Sequence, residues 1–156
     1  MKAIILAAGM SKRLYPITLG KPKCLLEIGG TSIIEYQISA LKEVGITEII
    51  VVVGYHGNQI VDKIQDNCVK FVSNNKYETT NSGYSLWLAK KHLIDSDFIY
   101  LNSDLYFSIR DLKNLLLMKE DFTCVIDQHR KNKCQDSFKA IIKSDDMTIF
   151  DMGKEI

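Results

Sequence analysis

The sequence predicts an α/β fold with a mostly parallel sheet, on three observations. Apolar runs of strand length recur at residues 3–8, 48–53, 69–72 and 98–101. Segments with helical spacing of apolar residues separate these runs. Glycine or a polar cluster closes the runs at their carboxyl ends. Strands alternating with helices imply βαβ crossovers, and so a parallel sheet with helices on both faces.

The elements follow in order. Residues 3–8 form an unbroken apolar stretch suited to a strand buried on both faces. Ser32 and Glu35 stand at capping-box spacing before Ile34, Ile38 and Leu41, which predicts a helix ending at Gly45. Residues 48–53 are a second buried strand, closed by Gly54. An amphipathic helix runs through Ile60, Val61 and Ile64, followed by a strand at 69–72. The polar segment 73–83 leads into a helix carrying Leu86, Leu88, Ala89 and Leu93.

Residues 98–101 form the next strand and end in Asn102-Ser103-Asp104. Leu112, Leu115, Leu116 and Met118 mark a further helix, and 122–126 a further strand. The stretch 128–137 reads as a surface loop. Residues 138–143 and 148–152 read as a C-terminal β-hairpin around Ser144-Asp145-Asp146. The whole is a Rossmann-like arrangement, and its 156 residues suit a single domain with a sizeable core.

Bulk properties narrow the partners. A net charge of +1 and a charged fraction of 25% give no reason to expect nucleic acid or an anionic membrane surface. No apolar stretch reaches the length of a membrane span. Lys2 before the first apolar run imitates a signal peptide, but the run is too short and Lys12 and Arg13 follow it. Cys24, Cys68, Cys124 and Cys134 form no CxxC pair, as expected of reduced thiols in a cytoplasmic protein.

Ligands of such folds bind beyond the carboxyl ends of the strands. Three segments meet that rim: the loop after residue 8, residues 54–57, and Asn102 to Asp104. The first is the most informative. Small Ala7, Ala8 and Gly9 allow a base and ribose to lie against the backbone, and N–H groups from Gly9 to Arg13 can face phosphate oxygens. Arg13 offers a planar fork for phosphate, and Lys23 a compact charge aimed by Pro22. The loop lacks G-x-G-x-x-G and G-K-[ST], which excludes a dinucleotide fingerprint and a P-loop.

Its order, Leu6-Ala7-Ala8-Gly9-Met10-Ser11-Lys12-Arg13-Leu14-x-Pro16-x-Thr18 followed by Lys21-Pro22-Lys23-x-Leu25, resembles the signature of nucleotidyltransferases that couple a nucleoside triphosphate to a phosphorylated sugar or alcohol. The resemblance implies the fold of nucleotide-diphospho-sugar transferases. It implies nucleotide contacts at Leu6, Ala7, Ala8, Gly9, Ser11 and Lys12, and catalytic roles for Arg13 and Lys23. An aspartate at the end of the 98–101 strand holds magnesium in that family, and Asp104 stands at the matching place.

The segment from Asn75 to Leu86 looks like that of the phosphocholine cytidylyltransferase branch, which makes Asn81 and Ser85 candidate base contacts. The implied partners are a nucleoside triphosphate, CTP favoured, and a small phosphorylated acceptor such as phosphocholine, with pyrophosphate released and self-association left open. Uridylyl or guanylyl transfer to a sugar 1-phosphate shares the opening signature, and a nucleotide-binding module without turnover is the reading from another class.

His56, beside Tyr55, is a further candidate for nucleotide or acceptor. Tyr84, Trp87 and Tyr106 could offer an aromatic face to a quaternary ammonium group. His92 and His129 carry no readable signal. Family members continue beyond the position of Ile156 with an acceptor-side segment and a second metal-binding aspartate. Asp127, Asp145, Asp146 and Asp151 have no matching context, so the chain reads as lacking its acceptor side.

Overall fold

The structure is a computed structural model and describes residues 1–126, 139–143 and 148–153. Its contacts group into two units, Met1–Leu112 and Lys113–Ile156. In the first unit, β1 (Lys2–Ala7) is followed by two 3-10 turns, Lys12–Leu14 and Lys23–Leu25. A small antiparallel pair comes next, β2 (Glu27–Ile28) and β3 (Thr31–Ser32), which hydropathy does not reveal because it is only two residues wide on each side. Then come α1 (Ile33–Glu43), β4 (Ile49–Val53), α2 (Gly57–Lys63), β5 (Val69–Ser73), α3 (Ser82–Leu93), β6 (Phe98–Asn102) and α4 (Ile109–Leu116), the last crossing the boundary between the units.

β5, β4, β1 and β6 lie side by side in that order, all parallel, with helices flanking the sheet. This is the Rossmann-like α/β arrangement expected from the alternating pattern. In register, Ile4 faces Ile50 and Tyr100, and Leu6 faces Val52 and Asn102. Successive side chains alternate between faces. One face, with Ile4, Leu6, Ile50 and Val52, packs against Ala89 and Leu93 of α3. The other, with Ala3, Ile5, Ile49 and Val51, is equally buried. Two buried faces explain why these strands read as unbroken apolar runs.

Local chemistry sets the element ends. Ser32 caps α1 in a complete capping box: Glu35 N–H donates to Ser32 Oγ, and Ser32 N–H donates to Glu35 Oε2. Asn81 caps α3, its Oδ1 accepting from Tyr84 N–H at 3.1 Å. Gly54 allows β4 to pass close to β1: a Cβ there would stand 2.7 Å from Ala8 O and 2.9 Å from Tyr77 Cβ.

The second unit contains the C-terminal hairpin, β7 (Lys139–Ile142) antiparallel to β8 (Ile149–Gly153), with an irregularity between Ile141 and Ile142. The expected loop at 128–137, with His129 and Cys134, and the turn at Ser144-Asp145-Asp146 lie outside the described residues, as does Asp127. Two expectations are corrected. Residues 122–126 have no strand structure, and Phe122 and Val125 are exposed. Their apolar run has no described strand to pair with, and a lone strand leaves its ladder unformed. α4 stops at Leu116, before Met118, because the chain tightens into a turn in which Met118 N–H bonds to Leu115 O. Among the described residues no helix is long and apolar enough to cross a membrane.

Candidate functional site

At the carboxyl ends of β1, β5 and β6 a cavity of about 280 Å³ opens in the first unit. β1 and the loop after it contribute Leu6, Ala7, Ala8, Gly9 and Ser11. A Cβ added to Gly9 would meet no atom within 4 Å, so the backbone there faces open space rather than protein. The loop is pinned on its far side. Buried Thr18 donates from its hydroxyl to Ser11 O at 3.0 Å, Gly20 N–H donates to Tyr55 Oη at 3.0 Å, and Gln59 Nε2 donates to Gly20 O at 2.8 Å. Tyr55 thereby acts on the loop through its hydroxyl, and His56 lies exposed with its ring against Tyr55 and does not line the cavity.

Pro22 starts the second 3-10 turn, which carries Lys23 into the cavity wall. Lys23 Nζ donates to Asp104 Oδ2 at 2.6 Å, across 81 residues of sequence. The two residues read separately as a phosphate cation and a metal-holding carboxylate are thus neighbours. Cys24, next in the turn, is buried, and its thiol is pushed up to about 12 by desolvation, so it stays protonated and is no nucleophile.

Asp104 sits just past β6. Beneath it lies Gln37 of α1, fully buried, whose Nε2 donates to Asn102 O at 3.0 Å and to Leu105 O at 2.7 Å. Gln37 clamps the loop that presents Asp104. Its Oε1 is buried with no partner among the described residues. Gln37 was not singled out from the sequence. The signal was a polar residue on an otherwise apolar stripe of Ile33, Ile34, Ile38 and Leu41.

The third wall is the segment before α3. Asn81 and Ser85 line the cavity, as do Asn74, Tyr77 and Thr80. Asn74, also missed from the sequence, is 1% exposed and binds Thr80 and Ser85 from the end of β5. Lys12 and Arg13 lie in the first 3-10 turn with exposed side chains and are not part of the cavity lining.

The expected aromatic face is divided. Tyr84 stacks on Trp87 with ring centroids 5.5 Å apart, and Lys90 Nζ of the same helix lies 4.6 Å from the Trp87 ring. Tyr106 instead stacks on Tyr36 at 4.4 Å. Tyr84 and Trp87 thus pair within α3, while Tyr106 pairs with a ring of α1.

A parallel α/β sheet whose strand ends gather a glycine-bearing loop, a lysine and a carboxylate defines a class of anion-binding α/β domain. Residues 2–146 match the family of nucleotidyl transferases, and the chain belongs to that family. It is 44% identical over 106 residues to a choline-phosphate cytidylyltransferase of Streptococcus pneumoniae, covering 68% of this chain and 46% of that protein. It is 35% identical over 134 residues to a CTP:phosphoglutamine cytidylyltransferase of Campylobacter jejuni, covering 82% of this chain and 53% of the other. The solved inositol-1-phosphate CTP transferase of T. maritima shares the fold, with a TM-score of 0.76 and 24% identity over 99% of this chain and 64% of that one. The chain spans about half the length of the curated relatives it matches.

Proposed function

We propose that this chain binds CTP and serves transfer of its cytidylyl group to a small phosphorylated acceptor such as phosphocholine, with release of pyrophosphate. The observation that carries the reading is the Lys23–Asp104 pair, 2.6 Å long, at the wall of a cavity shared with the Ala7–Ser11 backbone, Asn81 and Ser85. The similarity to two cytidylyltransferases supports CTP over other nucleotides.

In this reading the base and ribose lie over Ala7, Ala8 and Gly9, where no side chain obstructs them. Leu6, Ser11 and Lys12 complete the nucleotide contacts, and Asn81 and Ser85 meet the base. The acceptor phosphate attacks the α-phosphorus as the bond to pyrophosphate breaks. Little covalent chemistry falls to the protein, which aligns the oxygens and neutralises developing charge. Lys23 stabilises charge at the α-phosphate, and Arg13 holds the departing pyrophosphate.

Asp104 fits a magnesium site in its donor chemistry. It is a carboxylate partly open to the cavity, with oxygen donors on Asn102 and Ser103 beside it. Among the described residues no group of three or more metal-binding side chains occurs, and magnesium is content with one or two carboxylates plus phosphate oxygens. The bound ion would offset phosphate charge. Before ligand arrives, Lys23 neutralises Asp104 in the ion's stead.

The test is a matrix of the four nucleoside triphosphates against phosphorylated alcohols and sugars, read by pyrophosphate release, with equilibrium binding of each nucleotide measured alongside. Turnover of CTP with phosphocholine is the expected result. A preference for UTP or GTP with a sugar phosphate would overturn the substrate assignment, and magnesium-dependent CTP binding without turnover would reduce the chain to a nucleotide-binding module.

A further inference from the structure

We infer that Tyr55 is a positioning residue: by gripping the loop at Gly20 it sets where the Lys23 charge stands relative to the backbone cradle at Ala8. The inference rests on the nucleotide-binding reading above and adds to it a residue that does not line the cavity.

Tyr55 is joined to both limbs of the loop. Its backbone N–H donates to Ala8 O at 3.0 Å, where β1 gives way to the cradle. Its hydroxyl accepts from Gly20 N–H at 3.0 Å, on the limb that leads to Lys23. The residue is 8% exposed, and its ring stands edge-on to His56 at 4.3 Å and to Tyr77 at 6.2 Å. Tyrosine is a stiff side chain with few rotatable bonds. With its ring packed on these neighbours, the span from Ala8 to Gly20 is fixed by the length of one residue.

Gly20 is where the grip matters. Its φ of +75° lies in the region that L side chains rarely adopt, and glycine has more backbone freedom than any other residue. Both peptide groups that flank it are held from the start of α2. The Tyr55 hydroxyl holds the one before, and Gln59 Nε2 holds the one after, donating to Gly20 O at 2.8 Å. With both planes held, the two dihedrals at Gly20 are set. Released, Gly20 would swivel, with only Lys21 and Pro22 between it and Lys23. Pro22 has a fixed φ, so rotation at Gly20 is carried into the turn that bears Lys23.

The earlier limb holds its own shape. Thr18 Oγ1 donates to Ser11 O at 3.0 Å, and the N–H groups of Leu14, Ile17 and Leu19 close successive turns onto Ser11, Leu14 and Pro16. Lys23 is therefore the charge that Gly20 governs. On its other side Cys24 and Leu25 are buried, so Lys23 hangs between a polar anchor and an apolar one. Loss of the polar anchor leaves the turn in the core but frees the angle at which it presents its lysine.

Tyr55→Phe keeps the ring and removes only the acceptor for Gly20 N–H. Gln59→Met keeps the side chain's length and removes the donor to Gly20 O. The probe is CTP with magnesium, its dissociation constant measured by calorimetry on the full chain, with Lys23 present and in a Lys23→Ala background. A residue that merely supports the fold weakens CTP equally in both backgrounds. A residue that acts through Lys23 weakens it only where Lys23 is present.

The expected result is a loss of CTP affinity of about fivefold for Tyr55→Phe and no further loss beside Lys23→Ala, as for residues coupled in one network. Gln59→Met should behave alike, and it decides the matter if the phenylalanine variant does not fold. Folded variants of both kinds with wild-type CTP affinity would overturn the inference, as would an equal loss in the two backgrounds. A wild type that binds no CTP would instead overturn the nucleotide-binding reading itself.

Discussion

Lys23 and Asp104 belong to two sequence motifs 81 residues apart, yet their charged atoms are 2.6 Å apart. Their side chains keep 29% and 40% of their exposure, so the pair is solvated. Such pairs contribute at most about 1 kcal/mol to stability. Under the proposed function, the two are ligand-binding charges that satisfy each other until a phosphate and a metal claim them.

Lys23→Ala should therefore leave the fold nearly untouched and damage function. Loss of a positioned charge donor typically lowers turnover by about 10²–10³. The expected outcome is that loss in pyrophosphate release, with unfolding free energy within about 1 kcal/mol of wild type. Near-normal turnover would remove Lys23 from the mechanism.

Asp104→Asn keeps the side chain's size and removes its charge. Magnesium should strengthen CTP binding by wild type, and chelation should abolish that gain. In the variant the two titrations should coincide. Undiminished magnesium dependence would assign the metal to another group.

Gln37→Leu preserves bulk on the buried stripe of α1 but removes the Gln37 amide bonds to Leu105 O and to Asn102 O, the latter keeping Leu105 N–H at 3.2 Å. Loss of a hydrogen bond of this kind costs about 0.5–1.5 kcal/mol. Chemical denaturation should report that loss. Magnesium affinity should fall with it, since the loop bearing Asp104 loses its clamp. A stability change without a change in magnesium affinity would confine Gln37 to packing.

The capping box of α1 gives the fold an acid sensitivity of defined sign. The Ser32 hydroxyl donates to Glu35 Oε2 at 2.6 Å and, more than any other contact, holds the Glu35 carboxyl below its usual value, with Lys63 at 3.3 Å assisting. The unfolded chain takes up its proton first as pH falls. The stabilisation is thus present above the ordinary glutamate value of 4.5 and is lost as pH drops through the lower folded value. Ser32→Ala should cost about 1 kcal/mol at neutral pH and flatten the dependence of stability on pH below about 4.5. A variant as stable as wild type at pH 7, by thermal unfolding, would count against the cap.

The strands were legible because both faces of the sheet are buried. Ile4 and Ile5 point to opposite faces and both are fully covered, so no polar alternation interrupts the run. The α1 start was legible because a capping box is local, four residues wide. The run at 122–126 was misread for the complementary reason. A strand exists only with a neighbour, and hydropathy alone does not supply one. The C-terminal hairpin pairs locally, and its strands were recovered within a residue at the described ends.

By itself, then, the chain's sequence determined the parallel sheet, the loop after β1 and the family to which that loop's residue order belongs. Burial periodicity and turn chemistry act over a few residues and leave their mark in order. Tertiary structure alone decided that Lys23 and Asp104 touch, that Gln37 clamps the Asp104 loop and that Asn74 donates to the Ser85 hydroxyl. Each is a hydrogen bond between segments distant in the chain or bent back by a turn. Its existence depends on angles and distances of a few tenths of an ångström, which the order of residues does not carry.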